Sequence, residues 1–188
     1  SSGVVTTNLN IGTGAAGTVH AIEQLVNGQL IIAGDFTSFN GSPTAKIVRL
    51  NPDGSIDPTF NPGASADNAI FDFVTQPDGG IVVVGNFIRF DGIQKNGIAR
   101  LETDGGQDDL FITGTGANGP IRSISRRAAG QLLVVGEFTS YNEQPRGRFA
   151  QLNADGTLDT GFGTGTGADN ITFSSDVFSP AATNVFVT

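Results

Sequence analysis

The chain has no cysteine, no methionine and no tryptophan among its 188 residues. Without cysteine there are no disulfide staples, no thiolate metal sites and no thiol nucleophile. The compartment stays open on that ground alone. Without methionine, Ser1 is not a translation start, so a processed product, a cut fragment or an interior segment is expected. Ser1-Ser2-Gly3 is left out of the fold reading. Basic residues are also scarce, 10 Lys and Arg against 18 Asp and Glu, for a net charge of −8. Phosphate contacts need basic clusters, so nucleic acid is not an expected partner. No apolar run approaches the ~18 residues that a membrane helix needs, so no membrane insertion is expected. A sustained 3.6-residue apolar period is missing too, which predicts few helices.

What is present is a repeat, and a repeat must be read before anything else. Gly34-Asp35-Phe36, Gly85-Asn86-Phe87 and Gly136-Glu137-Phe138 follow one another at a step of 51 residues. Arg49-Leu50, Arg100-Leu101 and Gln151-Leu152 keep that step, as do Asp53-Gly54, Asp104-Gly105 and Asp155-Gly156. Asp57, Asp108 and Asp159 follow, then Phe60, Phe111 and Phe162. Residues 12–62 and 114–164 align without a gap at 21 identities in 51, so each unit is expected to trace the same backbone path.

Within a unit, strand and turn signals alternate at short spacing. Val19 to Val26 reads as a first strand, Asn27-Gly28 as a type I′ hairpin, and Gln29 to Phe36 as a second strand. The runs Leu30 to Ala33, Ile81 to Val84 and Leu132 to Val135 are apolar on both faces, which predicts burial from both sides. Thr37 to Thr44 reads as a polar loop, Ala45 to Asn51 as a third strand, Pro52-Asp53-Gly54 as a turn, and Ser55 to Phe60 as a short fourth strand. Four strands in a meander describe a propeller blade. The fold class is therefore an all-β, β-propeller architecture of four-stranded antiparallel blades. The units are 12–62, 63–113 and 114–164, flanked by the last strand of a blade in 1–11 and the start of a partial repeat in 165–188. Val5 and Leu9 lie one period before Ile56 and Phe60; Asp169-Asn170 and Phe173 echo Asp67-Asn68 and Phe71. Two closures remain open: a four-bladed ring short of one strand, or part of a six- to eight-bladed ring completed by further sequence or another chain. The early stop of the last unit favours the second.

The pattern Gly-(Asp/Asn/Glu)-Phe, followed by Arg49-Leu50-Asn51-Pro52-Asp53-Gly54-Ser55-Ile56-Asp57-Pro58-Thr59-Phe60 and its copies, resembles the bacterial delta-sixty repeats. The middle copy departs at Gly106-Gln107 and the third at Gln151. The resemblance implies a β-propeller in a large secreted or surface protein, an extracellular or cell-surface bacterial setting, and neither an enzyme nor a defined ligand.

Candidate chemistry is thin. His20 is the single histidine, and its counterparts are Phe71 and Arg122, so a Ser-His-Asp arrangement can be built only around His20, against a plain surface or inter-blade position. The stretches at Gly12, Gly114 and Gly165 lack the helix and Lys of a phosphate loop and read as links between blades. Asp53 and Asp57, Asp104 and Asp108, and Asp155 and Asp159 have spacings that resemble the end of a calcium loop, making calcium the one cofactor candidate. Two residues upstream of each loop stand Arg49, Arg100 and Gln151, where a further oxygen donor is needed; the competing reading is a hairpin turn whose Asp caps backbone N–H groups. Arg122, Arg126, Arg127, Arg146 and Arg148 gather in one unit of an acidic chain, a candidate docking patch for an acidic protein or polysaccharide, or an ordinary solvated face. Phe39, Phe90 and Tyr141 sit beside polar groups in the loops, either as platforms for sugars or partners or as anchors for the loops themselves. The functional expectation is a non-enzymatic structural or interaction module at the cell surface, binding protein or polysaccharide in adhesion. The alternatives are a lectin-like propeller using the aromatic tips and, more remotely, a propeller-type enzyme.

Overall fold

The computed structural model describes residues 9–44, 46–163, 175–176 and 186–187. The first unit holds β1 (Ala15–Gln24), β2 (Leu30–Phe39), β3 (Ser42–Pro43) and β4 (Ile47–Leu50). The second holds β5 (Ile70–Thr75), β6 (Ile81–Gly85), β7 (Arg89–Phe90), β8 (Ile93–Gln94) and β9 (Ile98–Leu101). The third holds β10 (Ile121–Arg126), β11 (Leu132–Gly136), β12 (Ser140–Tyr141), β13 (Gln144–Pro145) and β14 (Phe149–Leu152). One short 3₁₀ turn, Ala128–Gly130, lies between β10 and β11. Beyond them β15 (Ser175–Asp176) pairs antiparallel with β16 (Phe186–Val187). The remaining expectations for the partial repeat, including Asp169-Asn170, Phe173 and Gly165, lie outside the described residues, as do Val5 and Ala45.

The blades are antiparallel meanders with the central strand between two neighbours: β1-β2-β4, β5-β6-β9 and β10-β11-β14. The central strands β6 and β11 are buried along their whole length, as their two-faced apolar runs require. One blade cannot cover both faces of such a strand, so the next blade must. The packing clusters follow that logic. Ile31, Ala33 and Ile47 of the first blade pack with Val83, Phe87 and Phe90 of the second. Val82, Val84 and Ile98 of the second pack with Val134, Phe138 and Ala150 of the third. The triplet phenylalanines Phe87 and Phe138 thus fill the gap between blades. The triplet glycines have a separate cause. A Cβ on Gly34, Gly85 or Gly136 would overlap the carbonyl oxygen of Thr18, Ala69 or Pro120 on the neighbouring strand. In all three blades the same place carries a β-bulge, between Val19 and Ala21, between Ile70 and Asp72 and between Ile121 and Ser123.

Three local expectations are corrected. The Asn27-Gly28 hairpin is not a two-residue type I′ turn: Gly28 donates to the carbonyl of Leu25, Leu25 to that of Gln29, and only Gly28 has positive φ, at 85°. Asn27 instead accepts from the N–H of Gln29, which leaves it in ordinary backbone space. The polar loop Thr37 to Thr44 is a ribbon, closed by Asn40 and Gly41 at φ 49° and 75°, the signs a type I′ turn demands. The fourth strand shrinks to one bridge per blade, Leu50 with Ile56, Leu101 with Gln107 and Leu152 with Leu158. It stops there because the carboxylate of Asp57 captures the N–H of Thr59 and turns the chain.

The third ribbon breaks its own turn rule. Asn142 and Glu143 take φ 48° and 63° where the first two ribbons have Gly41 and Gly92 at the second position. A left-handed residue with a Cβ costs about 1–2 kcal/mol. Replacing Glu143→Gly should stabilise the protein by about 1 kcal/mol, read as a higher urea midpoint with an unchanged slope.

Candidate functional site: the inter-blade clefts

The end of each blade that carries the Asp-Gly turns is built on one polar pair. Arg49 donates from Nε to Oδ2 of Asp57 (2.8 Å), and Gln29 donates to the same oxygen (2.8 Å). The other oxygen, Oδ1, accepts from the N–H and the hydroxyl of Thr59. In the second blade Arg100 holds Asp108, whose Oδ1 accepts from the N–H of Leu110. In the third, Gln151 replaces the arginine and donates to Asp159, whose Oδ1 accepts from Gly161. Asp57 and Asp108 are buried, 5% and 6% exposed, and a buried carboxylate needs this full set of donors. Burial raises the pKa of Asp57, but the Thr59 hydroxyl and N–H and the Arg49 guanidinium outweigh it and hold the carboxyl at about 2. Asp53, Asp104 and Asp155 accept from Ser55, Gly106 and Thr157 in their own turns. These carboxylates therefore fit the turn-capping reading. Where a calcium ion would need oxygen, a guanidinium or amide already sits. Among the described residues no group of three or more His, Cys, Asp or Glu side chains converges on one point.

The aromatic tips are placed otherwise than the sugar-platform reading requires. Phe39, Phe90 and Tyr141 are 2%, 0% and 0% exposed, so their rings anchor the ribbons instead of presenting a face. The reason is local: Phe90 and Tyr141 bridge the backbone of Ala66 and Ala117, and Phe90 and Tyr141 lie edge-on to Phe87 and Phe138. Burial pushes the Tyr141 phenol up, and its hydroxyl finds no hydrogen-bond partner among the described residues.

The five arginines of the candidate patch are spread over the third blade. An extended strand advances about 3.3 Å per residue, so Arg122 and Arg126 stand at opposite ends of β10. Arg122 pairs with Glu137 and lies over the ring of Phe71, which in turn meets the edge of His20. Arg127 donates to Gln151 and lies over Phe162, at the far end. Arg146 donates to the carbonyl of Pro145, and the backbone N–H of Arg148 to that of Phe138. Arg126 is exposed. The five do not form one surface.

Sequence reasoning missed two features. Asp72, on β5 of the second blade, accepts from the hydroxyl of Ser123 (2.8 Å) and the N–H of Ile124 (2.9 Å) in the third. Its pKa is raised, burial outweighing the Ile124 N–H, the Ser123 hydroxyl and the Phe73 N–H. Its repeat counterparts, Ala21 and Ser123, gave no signal for such a latch. The second feature is a pair of equivalent clefts at the Asp-Gly end. One, of about 410 Å³, lies between the first and second blades and is walled by Val26, Arg49, Pro77 and Thr103. The other, of about 700 Å³, lies between the second and third and is walled by Pro77, Arg100, Leu110, Phe111 and Ala154.

Two outcomes follow from the Asp–Arg pair. A carboxyl depressed to about 2 from its ordinary 3.8 stabilises the fold fully above pH ~4, and that stabilisation is lost as pH falls toward 2. Thermal melts by circular dichroism between pH 5 and 2 should show a falling Tm, with a shallower fall in Asp57→Asn. Chelator should leave the Tm at neutral pH unchanged, because a bound ion would stabilise by mass action and its removal would show; a drop on adding EDTA would restore the calcium reading.

No curated protein matches the chain. Residues 27–60, 76–111 and 130–162 match the family described as a domain of unknown function (DUF5122) beta-propeller, one segment inside each 51-residue unit and together more than half of the chain. The strict phase, the stacked antiparallel blades and this match agree: the chain belongs to the DUF5122 β-propeller family.

Proposed function

We propose that this chain is a non-enzymatic interaction module, a propeller segment of the delta-sixty type in an extracellular or cell-surface bacterial protein, serving adhesion through protein contacts. The observation that carries the reading is where the polar groups go. The repeated carboxylates Asp57, Asp108 and Asp159 all accept from donors of their own blade, so the residues that recur with the repeat serve the scaffold. An enzyme would instead gather non-repeated polar groups around one reacting atom. Rigid blades joined by loops and clefts suit the holding of a partner. Burial of the three tip aromatics removes the stacking surface that a lectin-like reading relied on.

The test has two arms. Mild protease treatment of intact cells that make the full-length protein should release peptides of this chain; release only after lysis would sink the surface assignment. Purified chain should give no turnover above buffer on chromogenic ester, glycoside and phosphate substrates. Turnover that survives repurification would replace the interaction reading with an enzymatic one.

A further inference from the structure

The two clefts occupy the same place in the repeat, yet they are finished differently. In the first, Arg49 reaches across: Nη1 donates to the carbonyl of Thr103 on the second blade (2.5 Å), and Nη2 to the hydroxyl of Thr59 (3.2 Å). The guanidinium ties the two walls together. In the second cleft, Arg100 makes no such crossing. Its Nε donates to Gln76, Nη1 to Asp108 and Nη2 to Asp78 (2.6 Å), all three on its own blade. The carbonyl of Ala154, counterpart of Thr103, receives nothing from it.

Two substitutions within the repeat produce the difference. Asp78 stands where the first blade has Asn27, and its charge draws the guanidinium back. Leu110 stands where the first blade has Thr59, so the hydroxyl that bonded both Asp57 and Arg49 is replaced by an aliphatic side chain. Leu110 is 84% exposed at the cleft mouth, although its neighbour Phe111 is buried. Nothing in the blade requires an exposed leucine there. The untied cleft is the larger, about 700 Å³, a size that holds a ligand or a short peptide segment.

Its charge is one-sided. Asp78, Asp108 and Asp155 face it against the single guanidinium of Arg100. The Asp78 side chain is 66% exposed, so it can take a second cation besides Arg100. Arg127, on the third blade, is committed to Gln151 and the ring of Phe162. The walls contribute Leu110, Pro77, Phe111 and the Ala154 side chain, an apolar surface beside the acidic one.

We infer that the cleft between the second and third blades is a docking site for a basic peptide segment carrying an aliphatic side chain next to a lysine or arginine. The aliphatic group packs on Leu110 and Pro77, the cation pairs with Asp78, and a backbone N–H reaches the Ala154 carbonyl. This deepens the interaction reading above and rests on it.

The test uses a fluorescein-labelled hexapeptide alternating lysine and leucine, titrated with the purified chain and followed by anisotropy, against the same peptide with glutamate for lysine. The lysine peptide should bind, more weakly at high salt, and the glutamate peptide should not. Leu110→Thr and Asp78→Asn each install an apolar-to-polar or charge change toward the first cleft's own residue, Thr59 or Asn27, so neither asks the fold for anything new. Each should weaken binding at least tenfold. Val26→Thr, at the fully exposed mouth of the first cleft, should leave it unchanged. Absence of binding by the lysine peptide, equal binding of both peptides, or affinity unaltered in both second-cleft variants would overturn the assignment. Those failures leave cell-surface release and the turnover assays untouched, so they are distinguishable from a failure of the broader reading.

Discussion

The central strand of each blade is apolar on both faces, and no blade can cover both faces alone. Val82 and Val84 turn toward the third blade while Ile81 and Val83 turn toward the first, and all four are at most 1% exposed. Fully burying one such side chain stabilises by about 1.5–3 kcal/mol. Stacking is therefore a requirement of the sequence, and the remaining features serve it. Glycine at 34, 85 and 136 lets the first strand of each blade close on the central one. Phenylalanine at 87 and 138 fills the seam that results.

The polar residues of the repeat solve a second problem, which is how to end each blade without leaving buried donors or acceptors unpaired. The Asp at 57, 108 and 159 ends the last bridge, caps its own turn and holds the arginine or glutamine of the strand beside it. Because the solution is local to one blade, it can be copied at a fixed step. Variation then becomes informative where it disturbs the copy. Thr59 to Leu110 and Asn27 to Asp78 are surface changes with no effect on the core, yet between them they turn a tied cleft into an open one.

Much of the architecture is legible in the sequence. The step of 51 residues, the two-faced central runs and the Asp-Gly turns specify antiparallel blades, and the structure has them. Finer local predictions failed where two turn chemistries compete. Asn27-Gly28 carries a type I′ signature, but the Asn27 side chain prefers the N–H of Gln29, and that bond keeps its φ negative. Asn40-Gly41 carries the same signature, and there the ribbon accepts it. The fourth strand was over-read because a short run of alternating residues cannot reveal that Asp57 will seize the N–H two residues on.

The sequence by itself determined the period, the turn positions and which strands are apolar on both faces, because each of these depends on residues within one unit. The tertiary structure decided whether a side chain is exposed and what it meets, because that depends on the next blade. It put the rings at 39, 90 and 141 inside, sent Arg122 and Arg127 to opposite ends, and set a guanidinium where a calcium ion was the alternative. It also decided that one cleft is crossed by Arg49 and its twin is left uncrossed by Arg100, since a guanidinium's reach is settled by which carboxylate or carbonyl stands nearer in the folded stack.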